Sequence, residues 1–165
     1  MGPGILIRYS KQVLGVAAAL LVVGAAILCF CQFRSPAGGV SPYEVVNQLE
    51  GCTLTTEQER YPADVKEIYL LCRNDAAEGE LTLPEGAAYV LEVKEDGAWH
   101  TLRSETKEPR WIGEGGTVAS GGEVTLTCQM SDYQSPLESG SYRIVLPDCS
   151  AVGSAGNLAA EFEVS

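Results

Sequence analysis

The apolar run from Val13 to Cys31 constrains this chain more than any other feature, because it divides what precedes it from everything that follows. It is nineteen residues long and carries no charge, with Arg8 and Lys11 before it and Arg34 just beyond. At ~1.5 Å of rise per residue, a helix of that length is about as long as the hydrocarbon core of a bilayer is thick. Residues 13–33 are therefore expected to form a transmembrane signal anchor, with the lipid bilayer as partner, behind a short cytoplasmic N-terminus at 1–12. Cleaved leaders carry shorter apolar regions of roughly 7–15 residues, ending in a small-x-small site. Ser35-Pro36-Ala37 offers such a site, so cleavage stays open, but the length of the run favours a retained anchor. Two basic residues before the run against one after it keep the N-terminus cytoplasmic and send the rest of the chain outside. Cys29 and Cys31 follow the bulky Leu28 and Phe30, where a bacterial lipidation site needs a small residue, so both read as apolar residues of a membrane helix.

The charge changes sign after the anchor. The chain holds 11 basic and 22 acidic residues; setting aside Arg8, Lys11 and Arg34 leaves 8 against 22, a net charge of −14 beyond the membrane. Such an excess excludes nucleic acid as a partner and opposes adhesion to anionic headgroups. Residues 34–42, with Ser35-Pro36-Ala37-Gly38-Gly39, read as a flexible linker. Residues 43–165 are then one domain of ordinary size.

That domain reads as strand after strand. Cys52, Leu54 and Thr56 alternate with polar residues, and Tyr61-Pro62-Ala63-Asp64 turns the chain. Ile68, Leu70 and Cys72 share one face of the next strand, and Leu81 and Leu83 suit a short edge piece. Tyr89, Leu91 and Val93 lead through Glu95-Asp96-Gly97 to Trp99 and Leu102, and Asp-Gly between two such runs is a strong hairpin signal. A two-residue loop would set Trp99 beside Lys94 on the outer side, whereas a three-residue loop with a glycine bulge would turn it to the core. The gain from burying an indole favours the core. Val124, Leu126, Cys128 and Met130 form another face, followed by Tyr142, Ile144 and Leu146, and by Leu158, Ala160, Phe162 and Val164. Tyr43 to Leu49 allows one short helical turn. About seven strands without an amphipathic helix predict an all-β, antiparallel two-sheet sandwich.

The stretches Tyr89-Val90-Leu91-Glu92 … Asp96-Gly97-Ala98-Trp99, Ser139-Gly140-Ser141-Tyr142-Arg143-Ile144 and Ala160-Glu161-Phe162-Glu163-Val164 carry a resemblance, joined by Tyr61-Pro62-Ala63-Asp64-Val65-Lys66-Glu67-Ile68. In that order, across most of residues 51–165, they resemble the bacterial immunoglobulin-like domain found in envelope proteins of Gram-positive bacteria. The resemblance implies an Ig-like sandwich and an extracytoplasmic setting, and it brings no catalytic residues. Four cysteines and the glycine-rich stretch from Glu114 to Gly122 depart from the pattern.

Cys52, Cys72, Cys128 and Cys149 form an even set, so disulfides are chemically accessible in that setting. If a hairpin folds about Pro62, Cys52 and Cys72 face each other, each ten residues from the turn. The implied topology brings Cys149 to the same end, and Cys128 falls about a strand length of ~20 Å away, beyond disulfide reach. The expected bridge is Cys52–Cys72, with Cys72–Cys149 as the alternative. Buried thiols packed as small apolar residues are the third possibility.

Little in the chain points to catalysis or to a cofactor. His100 is the only histidine, so no multi-histidine metal site exists, and no serine sits in a nucleophile-elbow pattern. Glu114 and Asp132 are conceivable calcium ligands without an EF-hand spacing. Trp111 and Ile112, after Pro109 and before the glycines, form a possible interaction loop. The expectation is a non-catalytic, membrane-anchored Ig-like module for protein–protein interaction or sensing at the cell envelope. The alternative is an accessory subunit that associates through its transmembrane helix, where Gly15, Ala19 and Gly24 permit close packing.

Overall fold

The structure, a computed structural model, describes residues 37–113, 116–133 and 136–165. The expected anchor at 13–33 lies outside these residues, and among the described residues no helix is long and apolar enough to cross a membrane.

Period-two alternation builds the sandwich. In β4 (Glu67–Asn74), Ile68, Leu70, Cys72 and Asn74 are buried, while Glu67, Tyr69 and Arg73 face solvent. β4 pairs antiparallel on one side with β2 (Cys52–Thr56) and on the other with β9 (Gly122–Gln129). These three strands are the smaller sheet. The larger sheet runs in the order β1 (Ala37–Val40), β7 (Ala98–Leu102), β6 (Val90–Glu95), β10 (Gly140–Ala151), β11 (Ser154–Val164) and β3 (Arg60–Tyr61). β5 (Glu80–Thr82) adds to the far end of β10 and carries β8 (Thr117–Ala119). All pairings are antiparallel except the short one between β11 and β3.

The inner faces interdigitate into one core. Ile68, Leu70 and Leu126 from the smaller sheet meet Leu91, Ile144, Leu146 and Leu158 from the larger, each with no measurable exposure. At about 25 cal/mol per Å² of apolar surface, this burial is the main force closing the two sheets. Tyr61 and Tyr142 flank Phe162 at one end, with ring centroids 5.5 and 5.7 Å away.

Four sequence expectations change. The Asp96-Gly97 turn has two residues, with φ of 50° and 82°, and it pairs Lys94 with Trp99. Trp99 therefore lies on the outer side, not in the core. A two-residue turn with both φ positive matches the strand twist without a bulge, and this geometry decided the register. The β2–β4 hairpin pairs Cys52 with Asn74 and Leu54 with Cys72. Its centre is therefore Ala63, not Pro62, and one residue at the centre moves the partner by two. Residues 43–49 hold no helical turn, and residues 37–40, which read as linker, form β1.

Candidate functional site

The residues just before β2 cross the outer face of the larger sheet from one edge to the other. At the first edge β1 pairs with β7, Ala37 opposite Leu102 and Val40 opposite His100. The Ser41 amide then donates to the Trp99 carbonyl at 2.8 Å. At the opposite edge, Asn47 uses its side chain as a substitute strand. Its amide nitrogen donates to the Ala159 carbonyl at 3.1 Å, and its Oδ1 accepts from the Ala159 amide at 2.8 Å. Asn47 has a φ of 61°, a left-handed conformation that asparagine tolerates better than most residues.

Between the two edges lies a buried ion pair. Glu92 on β6 stands directly opposite Arg143 on β10, and Arg143 Nε donates to Glu92 Oε2 at 2.6 Å, with side chains 0% and 3% exposed. A second nitrogen of the guanidinium is also partnered. Nη2 donates to the Tyr43 carbonyl at 2.8 Å and to Ser41 Oγ at 3.3 Å. The Trp99 ring lies 4.5 Å from the guanidinium carbon, with Lys94 at 5.4 Å. Buried charges persist only when paired and hydrogen-bonded, and here residues 41–47, a strap across the sheet, supply two further acceptors. Burial pushes the Tyr43 phenol upward, and the carboxylates of Asp148 and Glu92 add to it. Sequence reading missed Glu92 and Arg143. One signal was available: Val145 and Ala159 are apolar at outward positions of the same sheet, and both are buried.

The smaller sheet is open on its outer face. Tyr69 is 40% exposed there, beside the half-buried Leu71 and the exposed Thr53, Thr55 and Thr125. A shallow groove of about 460 Å³ runs over Thr55, Tyr69, Leu71 and Thr125 and ends at Glu57. Tyr69 donates its hydroxyl to Glu67 at 2.8 Å. The Gln129 amide also donates to Glu67, and these two hydrogen bonds, Gln129's first, hold that carboxyl below its usual range. The floor of this face is apolar and hydroxyl-bearing, and its carboxylates sit at the rim.

The other sequence candidates separate. Trp111 is buried with 6% exposure and packs in the core, whereas Ile112 is 60% exposed. The two do not form one loop surface. Trp111 Nε1 is buried without a hydrogen-bond partner. His100 sits on β7 opposite Val93 and Val40. Asp132 accepts a hydrogen bond from the Tyr89 hydroxyl at 3.1 Å, Glu114 lies outside the described residues, and no cluster of metal-binding side chains occurs among the described ones.

Cys52, Cys72, Cys128 and Cys149 are free thiols, all buried. The expected Cys52–Cys72 bridge is absent, because the register sets Cys52 opposite Asn74, whose Oδ1 lies 3.8 Å from the Cys52 sulfur. Burial pushes the Cys72 and Cys149 thiols up to about 12. Cys128, deeper still and opposite Ile68, is also pushed up by burial.

A three-stranded sheet facing a larger sheet across one apolar core defines an immunoglobulin-like β-sandwich. Residues 48–163 match the bacterial Ig-like domain family, and the chain belongs to it. No curated protein matches the chain in sequence. Among solved structures, the chain is similar to the archaellum periplasmic stator protein FlaG from Sulfolobus acidocaldarius, at 14% identity over 67% of this chain and 99% of that one, with a TM-score of 0.41. It is also similar to the stator protein complex FlaF and FlaG from the same organism, at 14% identity, 76% and 99% coverage and a TM-score of 0.42. At this identity and score the likeness assigns no partner to this chain.

Proposed function

We propose that this chain is a membrane-anchored, extracytoplasmic Ig-like module that binds a protein partner and performs no chemistry. The observation that carries the reading is the strap. It covers the part of the larger sheet's outer face around Glu92 and Arg143 and bonds to β7 on one side and to β11 on the other, whereas nothing among the described residues covers the grooved outer face of the smaller sheet, which favours that face for recognition. Charge complementarity defines the partner. The chain beyond Arg34 carries 8 basic against 22 acidic residues, and Glu57 and Glu67 border the groove. The matching surface is apolar at its centre and basic at its rim. The uncharged run at 13–31 supports the anchor, and the basic residues around it support a cytoplasmic N-terminus.

The test is capture from native membranes with three chains: the full-length protein, the same protein with 13–33 replaced by an unrelated apolar span, and Tyr69→Lys/Leu71→Asp. Partners retained on the span replacement and lost in the double variant support the reading. Partners lost on the span replacement place the function in the membrane segment and overturn it.

A further inference from the structure

Strand register lays the outer face of the smaller sheet out in rows. Thr53, Arg73 and Glu123 form one row, and Thr55, Leu71 and Thr125 the next. The following row runs past the end of β2. There the Glu57 amide donates to the Tyr69 carbonyl at 2.9 Å, which sets Glu57 on one side of Tyr69 with Thr127 on the other. Glu67 and Gln129 close that end of the face. The groove lies over the Leu71 and Tyr69 rows and reaches Glu57.

Three carboxylates border this face, and two are already engaged. Glu123 is held by Arg73 at 3.0 Å. Glu67 accepts a hydrogen bond on each oxygen, from the Tyr69 hydroxyl and from the Gln129 amide. The first of these bonds ties the Tyr69 side chain to its own strand, so an exposed aromatic is held in place beside the groove. Glu57 is exposed and forms no ion pair among the described residues. It is therefore the one carboxylate of the groove whose charge no neighbour answers, and it stands next to that aromatic.

A cationic side chain that also covers apolar surface matches this combination, and arginine matches it better than lysine. Its stem packs on apolar surface, its guanidinium plane stacks on an aromatic ring, and its fork of donors fits a carboxylate. The Leu71 row asks instead for an apolar residue. The two rows are two residues apart on β4, or ~7 Å at the rise of an extended strand, which is also the spacing of alternate residues in an extended ligand. A second copy of this chain is disfavoured as the occupant, since each copy brings the same 8 basic against 22 acidic residues. Resting on the reading of this face as the recognition surface, we infer that Glu57 and Tyr69 hold an arginine of the partner protein, carried on an extended segment whose apolar residue, two positions away, sits over Leu71.

A phage-displayed library of random heptapeptides, selected on the full-length protein in phosphatidylcholine nanodiscs, tests this. The same selection is run on Glu57→Arg, on Tyr69→Lys/Leu71→Asp and on Glu78→Arg, which makes the same charge change at a separate depression bordered by Gln48, Glu50 and Asp75. Wild type and Glu78→Arg should enrich an apolar residue and an arginine two positions apart. Glu57→Arg should exchange that arginine for aspartate or glutamate, and the double variant should enrich neither pattern. Synthetic copies of the enriched peptides should bind Glu57→Gln about three- to tenfold more weakly than wild type. Peptides that require Tyr69 and Leu71 but carry no basic residue, or whose arginine is indifferent to Glu57, overturn the inference and leave the recognition face standing. An absence of enrichment on the wild type also overturns it, and arginine peptides that survive the double variant overturn the inference and the face together.

Discussion

Arg143 and Glu92 face each other on the outer side of a sheet, 2.6 Å apart and shielded from water. That side of a sandwich is normally solvated. The pair is buried because the strap lies over it, and the strap in turn is held by Arg143 Nη2. Neither half of this arrangement is satisfied without the other.

Breaking the pair from one side should be more damaging than removing it whole. Arg143→Ala and Glu92→Ala are each expected to cost about 3–5 kcal/mol, because each strands a buried charge. Arg143→Ala/Glu92→Ala should cost less than the sum of the single changes. A double-mutant cycle from urea denaturation measures the coupling.

Asn47 tests the strap at its far edge. Asn47→Ala removes two hydrogen bonds to the Ala159 backbone and places alanine at a φ of 61°. A loss of about 1–3 kcal/mol is expected. Asn47→Gly relieves the backbone but not the hydrogen bonds, so it should recover only part of the loss. In both variants the Ala159 amide should lose protection in hydrogen exchange.

Val152 is the converse case, a residue the fold tolerates against its preference. It opens the two-residue turn between β10 and β11 with a φ of 47°, followed by Gly153 at 77°. Left-handed backbone costs a non-glycine residue roughly 1–2 kcal/mol, and Val152 is 62% exposed, so its side chain recovers little. Val152→Asn, giving the Asn-Gly sequence such turns favour, should stabilise by about 0.5–1 kcal/mol. The urea midpoint should rise without a change in slope.

The tyrosines set an alkaline limit. Burial is the first cause lifting the phenols of Tyr89, Tyr133 and Tyr142, the last to about 12. An unfolded tyrosine ionises near pH 10, so the unfolded chain loses these protons before the folded one does. Their stabilisation is complete below pH ~10 and declines as pH rises towards 12. Absorbance at the phenolate band should show these three ionising together with loss of the near-ultraviolet circular dichroism signal. Their independent ionisation in a still-folded protein would contradict this.

Most of the sandwich was legible because it rests on alternation. The runs at 52–56, 67–74, 90–95 and 140–146 each carry a buried face at period two, and the strands follow them. β1, β3 and β8 were not legible. They have two to four residues, too short for a period to register, and tertiary pairing alone holds them. The cysteine register failed for a similar reason. A loop with no glycine at its apex offers no fixed centre, so counting outward from Pro62 placed the partner two residues short. Trp99 shows the limit of a burial argument: the indole does find partial cover, on the outer face against Arg143 and Lys94, which no local pattern announces. Glu92 and Arg143 alternate as surface residues should, and only the strap makes them interior.

The family match begins at residue 48, whereas residues 37–47 are hydrogen-bonded into the same sandwich. Cutting the chain at the family boundary would remove β1, Ser41, Tyr43 and Asn47 together. Two strand margins would then be bare, ready to pair with other chains, and a guanidinium would lose two of its acceptors. The bonds that complete this domain thus reach upstream of where its sequence signature starts, and a buried charge is among the groups that depend on them.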